Sequence, residues 1–74
     1  MKLWTIKTTP VTDDERIYTT QMDMTDEGLY YVINGDEGYL IPEWTPETAE
    51  ANYLSEDNTN ERAIAFMKAY GFYD

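Results

Sequence analysis

The chain contains no cysteine and no histidine, and it sets only five lysines and arginines against fifteen aspartates and glutamates in 74 residues. Each shortage excludes something. Without cysteine there is no disulfide staple and no thiol nucleophile. Without histidine there is no imidazole base, and the two absences together remove the usual ligands of a zinc finger. The formal charge of −10 argues against nucleic acid or an anionic membrane as a direct partner. Glycine is sparse, and Gly28, Gly35, Gly38 and Gly71 each suit a turn or a helix end, so no glycine-rich loop is positioned to cradle phosphate. Ser55 is the only serine and has no base to activate it. No segment approaches the roughly 18 apolar residues of a membrane span. The stretch Met1-Lys2-Leu3-Trp4-Thr5 alternates and does not read as a secretion signal. The expected location is cytoplasmic, in keeping with the absence of cysteine.

Against these absences stands a high aromatic content. Seven Tyr, two Trp and two Phe accompany an apolar fraction of 42%, far too many rings for a solvated acidic tail. The expectation is one folded domain, 1–74, β-rich over 1–42 and helical over 43–74. A chain of this size buries only about 60% of the surface it exposes when unfolded. Helix–sheet packing or self-association must therefore supply the stability.

Alternation predicts a first strand over Lys2 to Thr8 that ends at Pro10, with Trp4 and Ile6 on one face. Val11 to Glu15 reads as a polar turn. A second strand is expected from Arg16 to Met24, with Tyr18, Thr20, Met22 and Met24 on a common face. Thr25-Asp26-Glu27-Gly28 is a turn signal. Leu29 to Ile33 is apolar on both faces, as a central strand is. Asn34-Gly35-Asp36-Glu37-Gly38 reads as a hairpin, and Tyr39 to Ile41 returns as a fourth strand before Pro42. Thr45-Pro46-Glu47 opens a short helix over Pro46 to Leu54. A second helix carries Ala63, Met67 and Tyr70 at helical spacing, flanked by Ile64 and Phe66. Asn58 and Thr59 compete to cap its start, and Gly71 stops it with Phe72 placed for the contact that follows. The predicted class is α+β: a small antiparallel meander of about four strands packed against a C-terminal helix, with a short additional helix before it. One helix layer covers one sheet face. The second face, carrying large residues of Leu29 to Ile33, must be covered by the short helix, meet another molecule or tolerate half-exposure.

The chain reads as non-enzymatic. Its many carboxylates lie mostly in predicted turns and exposed helix positions, and a sheet-plus-helix of this size leaves little room for the cleft that acid–base chemistry needs. Asp23 to Gly28 has the alternating oxygens and the glycine of a calcium loop, but Asn34 stands at the twelfth position, where the bidentate Glu belongs. No metal or cofactor is expected.

The charge itself is the remaining clue. Acidic residues come in small groups along the whole chain, so in a compact domain they must cover much of the surface. Side chains two apart on a strand stand about 6.5–7 Å apart. Helix neighbours three or four apart stand about 5–6 Å apart. Both spacings approach that of phosphates along a nucleic-acid strand, and a rigid acidic domain can occupy a groove built for one. The candidate partner-binding residues are Glu43, Glu47, Glu50, Glu56, Asp57 and Glu61 as an acidic stripe, with Trp44 and Tyr53 offering rings beside it. In size, charge, aromatic content and lack of cysteine, the chain resembles the small acidic proteins with which bacteriophages and mobile elements block restriction, repair or CRISPR nucleases by imitating DNA. The resemblance is compositional and carries over no motif residue. It implies an anti-CRISPR-like or restriction-blocking inhibitor, a DNA mimic whose partner is the basic surface of a nucleic-acid-binding host defence protein. The alternative is a small homodimeric regulatory or structural module whose acidity serves only solubility.

Overall fold

The computed structural model describes residues 1–33 and 37–73. Four strands, β1 (Lys2–Lys7), β2 (Gln21–Thr25), β3 (Gly28–Ile33) and β4 (Glu37–Ile41), form one antiparallel sheet in the order β1-β2-β3-β4. Two helices follow, α1 (Pro46–Ala51) and α2 (Asn60–Tyr70). The class is the α+β meander the residue pattern predicts. The start of the expected β3–β4 hairpin, Asn34-Gly35-Asp36, lies outside the described residues.

The register sorts the side chains. Ile6 stands opposite Met22 and Met22 opposite Tyr31, while Met24 is flanked by Trp4 and Leu29. Ile6, Met22, Met24 and Leu29 join Ala49 of α1, Leu54, and Ala63, Phe66 and Met67 of α2 in one buried cluster. Both helices thus serve the same sheet face. The opposite face, with Thr5, Gln21, Asp23, Tyr30, Val32 and Leu40, has no covering layer among the described residues.

The second strand begins five residues later than the alternation suggests. Asp13–Ile17 is a short 3-10 helix, so Arg16 and Ile17 lie outside the sheet. Local hydrogen bonding explains the difference. The Glu15 carboxylate accepts the amide N–H groups of Val11 at 2.7 Å and Thr12 at 3.3 Å. Three acidic residues in the first turn also complement the positive end of a helical segment. Tyr18 then forms an isolated bridge with Tyr73, and Thr19 is buried with its hydroxyl donating to the Phe72 carbonyl at 2.9 Å.

Helix α1 opens as expected, with the Thr45 hydroxyl accepting the Thr48 amide at 3.2 Å, but it ends at Ala51 and not at Leu54. The Leu54 N–H returns to the Ala49 carbonyl at 2.9 Å and the Tyr53 N–H to the Glu50 carbonyl at 3.1 Å. This is the Schellman closure, with Leu54 buried and Tyr53 in the left-handed region at φ 62°. Tyrosine at the position glycine usually fills hides the stop signal.

At α2, Thr59 is the cap, accepting the Arg62 amide at 3.2 Å. Asn58 instead closes the preceding loop by accepting the Ser55 amide at 3.0 Å. Asn60 exchanges both hydrogen bonds with the Thr9 backbone, at 2.8 and 2.9 Å, and so ties the start of α2 to the end of β1. Gly71 ends the helix at φ 80° and turns Phe72 back into the core. The Phe72 ring lies 5.6 Å from Phe66, 5.4 Å from Tyr31 and 5.9 Å from Trp44.

Truncating Phe72 to Ala should cost about 3–5 kcal/mol, against a total stability of about 4–11 kcal/mol for a chain of this length. Gly71→Ala should cost about 1–2 kcal/mol through its backbone conformation alone, since the added methyl would meet only Tyr73 at ordinary contact distance. Thermal unfolding followed by circular dichroism should show Gly71→Ala folded with Tm lowered by about 4–8 °C per kcal/mol, and Phe72→Ala largely unfolded at 37 °C.

Candidate functional site

The closure of α1 and the loop that follows it create a cleft of about 600 Å³. Trp4 reaches it from β1, Glu50 from α1, Tyr53 and Asp57 from the loop, and Arg62 from the first turn of α2. Glu50, Tyr53 and Asp57 belong to the stripe expected from the sequence, and the fold brings these three together. Trp4 and Arg62 were not expected there. Trp4 shows in the sequence only as an alternating core residue, and nothing local marks Arg62, because its place depends on how loop 52–59 folds back.

The remaining predicted residues are placed differently. Glu61 lines a second cleft of about 470 Å³, between the 3-10 helix and α2, together with Glu15, Ile64 and Lys68. Glu43, Glu47 and Glu56 are exposed and line neither cleft. Trp44 is half-buried, its ring edge-on to Phe66 at 5.3 Å and to Tyr70 at 5.2 Å. It anchors the core beneath the acidic surface. Tyr53, by contrast, is 88% exposed.

The electrostatics divide the carboxylates into two sets. One set has local partners. Glu15 bonds Lys68 at 3.4 Å besides the two amides, Asp26 holds the Met1 amine at 2.7 Å, Asp13 lies 3.4 Å from Arg16, and Asp23 accepts from the Thr5 hydroxyl and from Gln21. The bond from the Val11 amide leads in holding Glu15 below the usual carboxylate range, and the bond from the Met1 amine does the same for Asp26. In the other set, Glu43, Glu47, Glu50, Glu56, Asp57 and Glu61 make no ion pair or hydrogen bond with any described side chain. Arg62 sits in the cleft with Glu50 and Asp57, yet it too has no ion pair among the described residues.

Asp23 to Gly28, whose spacing resembles a calcium loop, forms the end of β2 and the turn into β3. Among the described residues no group of three or more Asp or Glu side chains is placed to hold a metal ion. No helix among them is long and apolar enough to cross a membrane. No protein-family model, curated protein or solved structure matches the chain.

Tyr53 joins exposure to backbone strain, since the left-handed conformation costs a residue with a Cβ about 1–2 kcal/mol. Tyr53→Gly should therefore raise stability by about 0.5–1 kcal/mol after the entropic cost of glycine, read as a Tm increase of a few degrees. The depressed pKa of Glu15 gives a stabilisation that is complete above the ordinary carboxylate value of about 4.3 and lost as pH falls through the lower folded value. Glu15→Gln should accordingly be less stable than the parent at pH 7, and the gap in Tm should close on titration to pH 3.

Proposed function

We propose that the chain is a non-enzymatic inhibitor that occupies the basic surface of a nucleic-acid-binding host defence protein, such as a CRISPR effector or a restriction nuclease, and competes there with DNA. The observation that carries this reading is the set of six exposed carboxylates, Glu43, Glu47, Glu50, Glu56, Asp57 and Glu61, that make no ion pair or side-chain hydrogen bond among the described residues. Carboxylates carried on a backbone that is already folded spare a basic groove the backbone ordering that a disordered acidic segment would need. Their counterions, and those of the groove, are released on contact, as they are for DNA. The net charge steers the encounter. Tyr53 adds an exposed ring next to Glu50 and Asp57, the kind of anchor that interfaces concentrate at their centres. The assignment to a phage or mobile element rests on compositional resemblance, and the partner's sign, positive, rests on the charge.

The test is displacement of a fluorescent DNA duplex from purified restriction and CRISPR effectors, with effectors captured from a host lysate added to the panel. The expected result is competitive displacement by the chain. With about six ionic contacts, affinity for the effector should fall roughly 10³-fold between 50 and 200 mM salt. The double substitution Glu47→Lys, Glu50→Lys should weaken binding by about tenfold or more, equivalent to about 1.4 kcal/mol. A complex that persists undiminished in 1 M NaCl, where the Debye length is about 3 Å, is incompatible with charge imitation.

A further inference from the structure

The cleft beside α1, about 600 Å³, falls within the roughly 300–1,000 Å³ of small-ligand sites. Its lining is of three kinds. Leu54, which is buried, and Pro46 give it an apolar wall. Two rings reach it: Trp4, half-buried and packed against the core, and Tyr53, almost fully exposed. Two carboxylates, Glu50 and Asp57, face one cation, Arg62, across it, and none of the three makes an ion pair among the described residues. Two carboxylates alone would be ordinary acidic surface. A cavity walled by rings and leucine beside them lets a cation shed part of its water and keep favourable contacts.

Tyr53 is the unusual member of this lining. The closure of α1 uses only its backbone: its N–H donates to the Glu50 carbonyl at 3.1 Å, and its carbonyl accepts from Asn58 Nδ2 at 3.3 Å. Its ring makes no ring contact and no side-chain hydrogen bond with a described residue. Glycine would close the turn without the strain of φ 62°. A strained backbone that presents an unused ring at the mouth of a cleft is a cost that folding does not explain, and such strain collects where ligands are held.

We propose that the cleft receives an arginine side chain of the partner protein, with its guanidinium against the Trp4 and Tyr53 rings and the Glu50 and Asp57 carboxylates. Charge selects a cation: the two carboxylates outnumber Arg62, and they belong to a chain of charge −10. The rings select arginine over lysine. A guanidinium is planar and less strongly hydrated than an ammonium, stacks on aromatic faces and offers five donors to carboxylates. Arg62 opposes the incoming charge. Its side chain is exposed and no ion pair with a described residue holds it in the cleft, so it can turn to water. The inference rests on the reading of the partner as a basic protein, and it narrows the contact to one type of side chain at one cleft.

Titration of the whole chain with N-acetyl-arginine amide, at neutral pH and constant ionic strength, tests it through the amide and indole N–H resonances. Saturable shifts in the millimolar range are expected at Trp4, Tyr53, Leu54 and Asp57, with the Trp44 indole, packed on Phe66 and Tyr70, as the unmoved reference. The citrulline counterpart, similar in shape but uncharged, is expected to bind severalfold more weakly. Glu50→Gln and Asp57→Asn should each weaken arginine binding severalfold, the scale of an exposed ion pair, and Arg62→Gln should strengthen it by a similar factor. Tyr53→Gly should lose the binding while its Tm rises, which separates the ring from the fold. The absence of saturable shifts, equal binding of the citrulline counterpart, or weaker binding to Arg62→Gln overturns the inference. Displacement of DNA from an effector that persists undiminished in Tyr53→Gly counts against the cleft and not against the inhibitor reading. Arginine binding without displacement from any effector counts against the inhibitor reading and not against the cleft.

Discussion

The structure depends on burying one face of a small sheet with very little material, and Phe72 is where that constraint is met. Its ring fills the space between Phe66 of α2 and Tyr31 of β3, while Trp44 closes the side. Its carbonyl accepts both the amide of Thr19, at 3.1 Å, and the Thr19 hydroxyl. A single residue beyond the last helix thus locks that helix to the segment leading into β2. It can do so only because Gly71 reverses the chain. No disulfide is available to make this connection, so rings and two hydrogen bonds make it instead.

One-sided burial also dictates where the charge goes. Among the described residues the buried core holds no charged group, and the one buried polar residue, Thr19, is satisfied. All described acidic residues are therefore pressed to the periphery. The five cations are too few to neutralise them: Lys68 serves Glu15 and Arg16 serves Asp13. Glu43, Glu47, Glu50, Glu56, Asp57 and Glu61 are left without an ion pair or side-chain hydrogen bond among the described residues.

Much of the fold is legible in the sequence because several signals coincide. Met22 and Met24 alternate with polar neighbours, and both are fully buried. Thr45 before Pro46 marks a helix start, and Gly71 before Phe72 marks a stop. The failures occur where one signal overrides another. Arg16 to Thr20 alternates like a strand, but Glu15 captures the backbone ahead of it and winds the chain into a 3-10 turn. Helix α1 stops early at a left-handed residue that is tyrosine, so no glycine announces the stop. The candidate site suffers most from this second failure. Glu50, Tyr53 and Asp57 are near in sequence and line one cleft, while Trp4 and Arg62 arrive only through the loop's fold-back. Trp44 looks like a surface anchor in an acidic segment, yet its neighbours in space are Phe66 and Tyr70.

The uncovered sheet face completes the economy of the design. A second helical layer would need about as many residues again as α1 and α2 provide. The chain instead covers part of that face with its own polar network, Thr5 and Gln21 on Asp23, and lays Tyr30 flat over Gly38 to shield backbone. Leu40 cannot be shielded in the same way, because it stands at the edge with no further strand beside it. The small acidic domain thus leaves apolar side chains exposed at both edges of its sheet, Leu3 at β1 and Leu40 at β4. Its unspent charge lies on the helices and loop that cover the opposite face.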